Sequence, residues 1–259
     1  MIDPALEYAK SSVDSFELPC GYLDGDGNLH TAVTVREMTG EEEEILAARN
    51  MPSSKKINSI LSRCTESIGA VSGHFIQQII PELVQGDRIY LLIAIRRASL
   101  GNDMPFVTKC PSCSQDARFK LDLADLEIKK MPDPMIRTYD LTLPKTGSKV
   151  VMKVLNGRGE DAIGKASTRG KDIITSAIFA RVESIDDKPV TMADLKSLPL
   201  VDRNFLRDAW EDHEGGVDTE VKIDCPGCGI EYDTELDISQ QGFFNPSATL
   251  KNWKKKYSF

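Results

Sequence analysis

Four of the six cysteines stand in two CPxC pairs, Cys110-Pro-Ser-Cys113 and Cys225-Pro-Gly-Cys228. A turn of this length lets two thiolates converge on one metal ion, but a closed tetrahedral zinc site needs four ligands. Each pair therefore supplies half a site, and the other pair is the obvious source of the second half. The sequence predicts one structural Zn²⁺ bound by all four thiolates, without the open position that a hydrolytic zinc requires.

Three other uses of the pairs remain open. CxxC pairs are redox-active in thioredoxin-like proteins, where the motif opens a helix after a strand, whereas both pairs here stand between strand-like segments. Each pair could form a local disulfide, which a reducing compartment disfavours. Each CxxC pair could also meet the same pair of a neighbouring subunit and bind zinc across the subunit interface. The lone cysteines, Cys20 and Cys64, are expected to be small buried hydrophobes.

A gapless internal match surrounds the two pairs. The segment from Leu83, LVQGDRIYLLIAIRRASLGNDMPFVTKCPSC, aligns with the segment from Leu198, LPLVDRNFLRDAWEDHEGGVDTEVKIDCPGC, at a constant offset of 115 residues, the separation of Cys110 and Cys225. An Asp-Arg pair, a leucine and a glycine also recur at that offset. Agreement of this extent at one shift predicts an internal duplication.

The recurring Asp-Arg pairs are Asp87-Arg88 and Asp202-Arg203. Each aspartate is expected to start a helix, where a carboxylate accepts amide hydrogen bonds and meets the positive end of the helix dipole. The alternative is an ion pair that faces a partner.

Each half is predicted to contain a β-hairpin, helices and a strand–CxxC–strand knuckle. In the first half, strands are expected at Phe16–Leu23 and Leu29–Met38, joined by a turn at Asp24-Gly-Asp-Gly-Asn28. Helices are expected at Ser53–Ile68 and Asp87–Ser99. Thr39 and Glu42 fit a capping box before the first helices, and Gly101 fits a helix end. In the second half, the predicted elements are strands Tyr139–Leu143, Lys149–Leu155 and Arg181–Ile185 and helices Glu160–Ala180 and Asp202–Asp212.

The strands predicted to enter the knuckles are Phe106–Lys109 and Glu220–Asp224. The fold class is therefore α+β, with two internally duplicated halves joined by a pseudo-symmetric four-cysteine zinc ribbon. The predicted parts are residues 1–130, residues 131–241 and a tail of residues 242–259.

Composition narrows the classes of function. The net charge is −8 and the sequence pI is about 5.1. An acidic chain of this kind argues against a broad surface that binds nucleic acid or membranes. No apolar run approaches the roughly 20 residues of a membrane helix. The three histidines, His30, His74 and His213, show no spacing of a metal triad or nucleophile motif. We therefore expect a protein that is not an enzyme and has no small-molecule substrate.

The C-terminal tail is aromatic and basic in an otherwise acidic chain. Aromatic side chains supply buried anchors and lysines steer towards acidic partners. The tail is predicted to dock on a partner, and the alternative is packing on its own domain. The predicted partner-binding residues are Phe243, Phe244, Trp253, Lys254, Lys255, Lys256, Tyr257 and Phe259.

Three stretches of the chain resemble phage proteins of the T4-type baseplate hub assembly chaperone family. They are VTVREMTGEEEEIL, ELVQGDRIYLLIAIRRASLGNDMPFVTKCPSC and ARVESIDDKPVTMADLKSLPLVDRNFL. The resemblance implies a non-enzymatic protein of a contractile tail, with other tail and baseplate proteins as partners. It implies a location in the virion baseplate, or in the host cytoplasm during assembly. Members with cysteines carry them at the four positions named above.

The leading hypothesis is a structural or assembly role in a phage-type baseplate hub, with a structural zinc. The alternative from another class is a zinc-ribbon adaptor that binds nucleic acid. A thiol–disulfide enzyme is a third hypothesis.

Overall fold

The computed structural model describes residues 13–168, 170, 172–236, 238 and 241–244. Within them the chain combines helices with small antiparallel sheets, and the predicted α+β class is confirmed.

The strands of the first half form one antiparallel sheet in chain order: β1 (Val13–Leu23), β2 (Leu29–Arg36), β3 (Thr65–Ile68) and β4 (Val71–Ser72). The predicted turn between β1 and β2 is stabilised by Asp24. Its Oδ1 accepts the N–H groups of Asp26 at 2.9 Å and Asn28 at 2.8 Å. Aspartate initiates tight turns through this kind of side chain-to-backbone bond.

The helices of the first half are α1 (Gly40–Ala47), α2 (Ser53–Cys64), α3 (Ile76–Ile79) and α4 (Gln85–Leu100). The predicted capping box is present before α1, where the Glu42 carboxylate accepts the Thr39 N–H at 2.9 Å. α4 ends at Leu100 and is followed by Gly101, whose φ of +78° favours glycine.

α4 is the central helix of this half and packs against β1 and β2. Leu91 and Ile95 of α4 are fully buried, as are Val33 and Val35 of the sheet. Cys64 at the end of α2 belongs to the same apolar cluster, as predicted. Burial of these side chains holds α4 in place, and α4 leads directly to the first cysteine knuckle.

That knuckle is the hairpin of β5 (Asp103–Lys109) and β6 (Asp116–Asp122), followed by the short strand β7 (Ile128–Lys129).

The second half repeats this order of elements. Its sheet is again a meander, made of β8 (Thr138–Thr142), β9 (Lys149–Lys153), β10 (Val182–Ile185) and β11 (Lys188–Pro189). Its helices are α5 (Gly157–Thr168), α6 (Ile173–Phe179), α7 (Met192–Ser197) and α8 (Leu200–His213). Its core contains Met152, Ile178, Leu195 and Leu206, all fully buried.

The final described elements are β12 (Gly216–Val217), β13 (Glu220–Asp224), β14 (Glu231–Glu235) and α9 (Gln241–Phe244). β13 and β14 form the second knuckle hairpin, and β12 pairs with β7 of the first half. The two knuckles are therefore joined near their bases by a backbone ladder.

The two halves also meet at α4. A Cβ atom on Gly86 would lie only 2.7 Å from the backbone carbon of Gly215 and the Cα of Gly216. Glycine at position 86 is thus required by the close approach of the second half. An ion pair between buried Arg88 and partly buried Glu160 adds to this contact, because Arg88 Nε lies 2.6 Å from Glu160 Oε2.

Two predicted helices are wrong in extent. The helix predicted over Ser53–Ile68 ends at Cys64, and Thr65–Ile68 forms β3, because its Ile68 side chain packs into the sheet core. The helix predicted over Glu160–Ala180 is divided into α5 and α6. Gly170 and Asp172 have φ values of +65° and +56° at the break, which a continuous helix does not allow.

Candidate metal centre

The first knuckle places Cys110 at the end of β5 and Cys113 in the turn to β6. Two backbone hydrogen bonds of Cys110 close this turn. The Cys110 N–H donates to the Gln115 carbonyl at 3.0 Å, and the Ser114 N–H donates to the Cys110 carbonyl at 2.9 Å. Ser114 has a φ of +60°, which lets the chain reverse immediately after the second cysteine.

The second knuckle repeats this geometry at the offset of 115 residues. The Cys225 N–H donates to the Ile230 carbonyl at 2.8 Å, and the Gly229 N–H donates to the Cys225 carbonyl at 2.8 Å. Gly229, at the position of Ser114, has a φ of +72°. Both CxxC motifs therefore lie in hairpin turns and not at a helix start, unlike the thioredoxin-like arrangement.

The four sulfur atoms form one compact group, with all Sγ atoms within 4.8 Å of one another. Sγ of Cys110 lies 3.7 Å from that of Cys228, and Sγ of Cys113 lies 3.6 Å from that of Cys225. Four sulfurs arranged tetrahedrally at about 2.3 Å from Zn²⁺ are about 3.8 Å apart along each edge. The donor set and its spacing fit a tetrahedral thiolate site within one chain.

The short contacts cross between the knuckles in a symmetric way. The offset of 115 residues relates Cys110 to Cys225 and Cys113 to Cys228, and exchanging the members of each pair converts the 3.7 Å contact into the 3.6 Å contact. Both distances are well beyond the bond length of about 2.05 Å in a disulfide, so neither contact between the knuckles is a disulfide bond. All four cysteines are free, so the structure shows neither of the two local disulfides, Cys110–Cys113 and Cys225–Cys228.

Electrostatics in this group favours a cation. The backbone amides of Cys228 and Gly227, which point at the sulfur, lower the pKa of Cys225 to about 6. The Gln115 amide lowers the pKa of Cys113, but burial and the three neighbouring cysteines raise it to about 12. Four thiolates at this spacing repel one another, and a divalent metal ion removes that repulsion.

The group lies at the surface end of the knuckles. Cys110 and Cys225, the first cysteine of each pair, are buried, whereas Cys113 is half-buried and Cys228 is exposed. A metal ion has a route to the sulfurs from the side of Cys228.

The Asp-Arg pair of the first half is internal. Asp87 is the third residue of α4 and fully buried, and its Oδ1 accepts the Cys20 N–H at 2.8 Å. Arg88, also buried, donates to the Ile80 carbonyl at 2.9 Å and to Asn58 Oδ1 at 2.8 Å. The alternative interpretation of Asp87-Arg88, an ion pair that faces a partner, is therefore wrong. The helix itself begins two residues earlier than predicted.

The second Asp-Arg pair makes the equivalent contacts. Asp202, the third residue of α8, is fully buried and accepts the N–H groups of Lys145 at 2.7 Å and Thr146 at 3.1 Å. Arg203 donates to the Leu195 carbonyl at 2.6 Å, and Leu195 is the counterpart of Ile80 at the same offset. In each half this pair connects the start of the long helix to the hairpin, through the aspartate, and to the carbonyl eight residues before the arginine.

Two of the residues predicted to bind a partner lie in the chain's own core. Phe243 is buried and Phe244 is half-buried, in a cluster with Leu126 and Leu236. Residues 245–259 lie outside the described residues, so docking by Trp253, Lys254–Lys256, Tyr257 and Phe259 stays a prediction.

The comparison with protein families gives the class of protein. Residues 23–236, which are most of the chain, match the family described as "T4 bacteriophage base plate protein". The chain belongs to this family, which confirms the resemblance seen in the sequence and supports a structural role in a phage baseplate. The description specifies neither a hub position nor a chaperone role. No curated protein and no solved structure gives a significant match.

The search for membrane spans gives a negative result within the described residues. None of the helices there combines the length and the apolar character needed to cross a bilayer.

Proposed function

We propose that this chain is a non-enzymatic structural or assembly protein of the baseplate hub of a contractile phage tail. We further propose that Cys110, Cys113, Cys225 and Cys228 bind one structural Zn²⁺. The observation that carries the metal site is the set of four sulfurs within 4.8 Å, two contacts of which match the edge of a zinc–thiolate tetrahedron. Family membership carries the baseplate role.

The zinc would neutralise the thiolates and cross-link the two halves of the chain. In small zinc modules the bound metal contributes on the order of 10 kcal/mol to folding. The knuckles also share an apolar cluster of Met104 and Leu123 from the first half with Leu236 from the second. Two halves that are cross-linked in this way suit a subunit that must keep its shape while neighbouring subunits move.

The two halves are proposed to descend from one duplicated unit joined by a pseudo-symmetric zinc ribbon. Three observations support this: the repeated order of sheet, helices and knuckle, the equivalent contacts of Arg88 and Arg203, and the exchange-symmetric sulfur contacts. The proposed parts are residues 1–130, residues 131–241 and the tail 242–259.

The proposed partners are other tail and baseplate proteins, in the virion or in the host cytoplasm during assembly. A four-thiolate zinc has no open coordination position, which supports a non-catalytic role.

Affinity purification of the tagged chain from phage-infected cells tests this function. We expect tail and baseplate proteins to co-purify, in amounts that nuclease treatment leaves unchanged. Purified virions analysed by mass spectrometry then distinguish a retained component from a protein that acts only during assembly. Loss of all partners on nuclease treatment, together with a salt-sensitive shift of labelled DNA or RNA, would contradict the proposal in favour of the nucleic-acid adaptor.

A further inference from the structure

A groove of about 560 Å³ lies between the two knuckle hairpins, apart from the cysteines. Its apolar lining comes from both halves and includes Phe106, Phe119 and Leu121 of the first hairpin and Val221 and Ile223 of the second. The rings of Phe106 and Phe119 are 5.5 Å apart and offer a wide apolar surface. The volume falls in the range of sites that enclose ligands or side chains.

Strand edges border this groove. Residues 119–121 of β6 and 220–224 of β13 line it consecutively, so that the backbone edge and not only one face is turned towards it. Within the described part of the chain, β6 pairs with β5 alone and β13 with β14 alone. Edges of this kind accept an extended segment through backbone hydrogen bonds.

The rim of the groove is acidic. Its carboxylates are Asp125, Glu127, Asp218, Glu220 and Asp224. Two lysines, Lys120 and Lys222, also line it, and Lys120 pairs with Asp103 outside the lining at 2.8 Å. The groove therefore favours a segment that is basic and has apolar side chains.

The last ten residues of the chain have that composition. The sequence LKNWKKKYSF carries four lysines, at Lys251 and Lys254–Lys256, and no carboxylate side chain. Trp253, Tyr257 and Phe259 supply three aromatic side chains. Charge and hydrophobicity of this segment thus complement the rim and the floor of the groove.

The described part of the chain ends beside the groove. Phe244 is the last described residue, and it packs in the same apolar cluster as Leu121, Leu126 and Val221, which line the groove. Residues 245–259 are enough to span roughly 50 Å when extended, so that the last ten residues can reach any point of the groove.

We propose that residues 250–259 bind in this groove of their own chain as an extended segment. The aromatic side chains contact the apolar floor, and the lysines pair with the acidic rim. The segment covers the edges of β6 and β13, which could otherwise form backbone hydrogen bonds with strands of other chains. This inference goes beyond the proposed baseplate role and does not depend on which metal the cysteines bind.

Zero-length carbodiimide cross-linking of the unaltered full chain is the first test, because it joins lysine amines to carboxylates in direct contact. An equal mixture of ¹⁵N-labelled and unlabelled protein separates contacts within a chain from contacts between chains. We expect Lys254–Lys256 to be joined, in isotopically uniform pairs, to carboxylates of the rim, namely Asp125, Glu127, Asp218, Glu220 or Asp224. Isotopically mixed pairs would assign the groove to a second copy, and cross-links only to carboxylates elsewhere would remove the tail from the groove. Either result overturns the proposal.

The second test follows Trp253 fluorescence in a Trp210→Phe background, which leaves Trp253 as the single tryptophan. The groove variant is Glu220→Lys with Asp224→Lys. The matched control is Glu235→Lys with Glu231→Lys, the cross-strand partners of the same two residues on β14, which lie outside the groove lining.

We expect the groove variant to red-shift Trp253 emission and to raise its quenching by acrylamide to that of a synthetic peptide of residues 246–259. The control should leave both unchanged. Circular dichroism of each sample verifies that the hairpins persist. Equal responses of variant and control, or quenching in the unaltered chain already equal to that of the peptide, would refute the proposal.

Discussion

The contact between Gly86 and Gly215 gives a sharp test of how the two halves meet. A Gly86→Ala substitution places a Cβ within 2.7 Å of the Gly215 carbon and the Gly216 Cα, and still closer to the Gly215 carbonyl oxygen. Real Cβ contacts of this length essentially do not occur, so that α4 and β12 must move apart. Both neighbours are backbone, and no side-chain rotation can relieve the overlap.

The magnitude follows from two opposing effects. Overpacking of this kind costs about 1–3 kcal/mol, and an obstacle made of backbone places it near the upper end. Replacing glycine by alanine inside a helix recovers about 1 kcal/mol of propensity. The net loss is therefore about 2 kcal/mol, or a decrease in melting temperature of roughly 4–8 °C for a chain of this size.

Gly164→Ala is the matched control, because Gly164 lies in α5 and a Cβ there meets nothing within 4 Å. It should stabilise the chain by about 1 kcal/mol through the same propensity effect. Thermal unfolding followed by circular dichroism compares both variants with the unaltered chain. A Gly86→Ala protein as stable as the Gly164→Ala protein would refute the close packing of the halves. The counterpart of Gly86 in the second half is the exposed Val201, where no such constraint acts.

Two further predictions concern buried charges. Arg88→Met should lower the free energy of unfolding by about 3 kcal/mol in denaturant titration, because it leaves the partly buried Glu160 unpaired. Arg158→Met removes an exposed pair with Glu82 and should cost less than about 1 kcal/mol, so that equal losses would contradict this account. Burial raises the pKa of Asp87 to about 6, above its value in the unfolded chain, so its ionisation destabilises the fold as the pH rises through 6. Asp87→Asn removes this ionisation, so the free energy of unfolding of the variant should increase relative to that of the unaltered chain as the pH rises from 4.5 to 7. A difference between the two free energies that stays constant over that range would disprove the assignment.

Local sequence signals predicted local structure well. The strand predicted at Glu220–Asp224 is present as β13, and the Thr39–Glu42 capping box and the turn at Asp24 are present as predicted. These features depend on residues within a few positions of each other, which the sequence displays directly.

Features that depend on distant neighbours were predicted less well. The segment Thr65–Ile68 continues the spacing of a helix, but pairing with β2 converts it to a strand. The sequence predicts that Asp87 starts a helix, but it does not indicate its hydrogen-bond partner, the Cys20 amide 67 residues away. Tertiary contacts override local propensity at such positions.

The cysteine site was accessible from the sequence because the motif occurs twice in matching surroundings. The contact of the halves at Gly86 was not, since a glycine inside a helix has no distinctive signal until its neighbour is known. The paired glycines at Gly215 and Gly216 mark the neighbouring segment, but they do not indicate what approaches them.

The central claim is that one metal ion joins the two halves through four thiolates. Metal content per chain, measured by elemental analysis on protein purified without added metal, tests it most directly. Cys113→Ser and Cys228→Ser remove one ligand from each half, and Cys20→Ala serves as a control outside the cluster. We expect one zinc ion per chain, lost in both serine variants together with thermal stability and retained in the control. No metal in the unaltered chain, or its loss in only one of the two serine variants, would contradict the shared site.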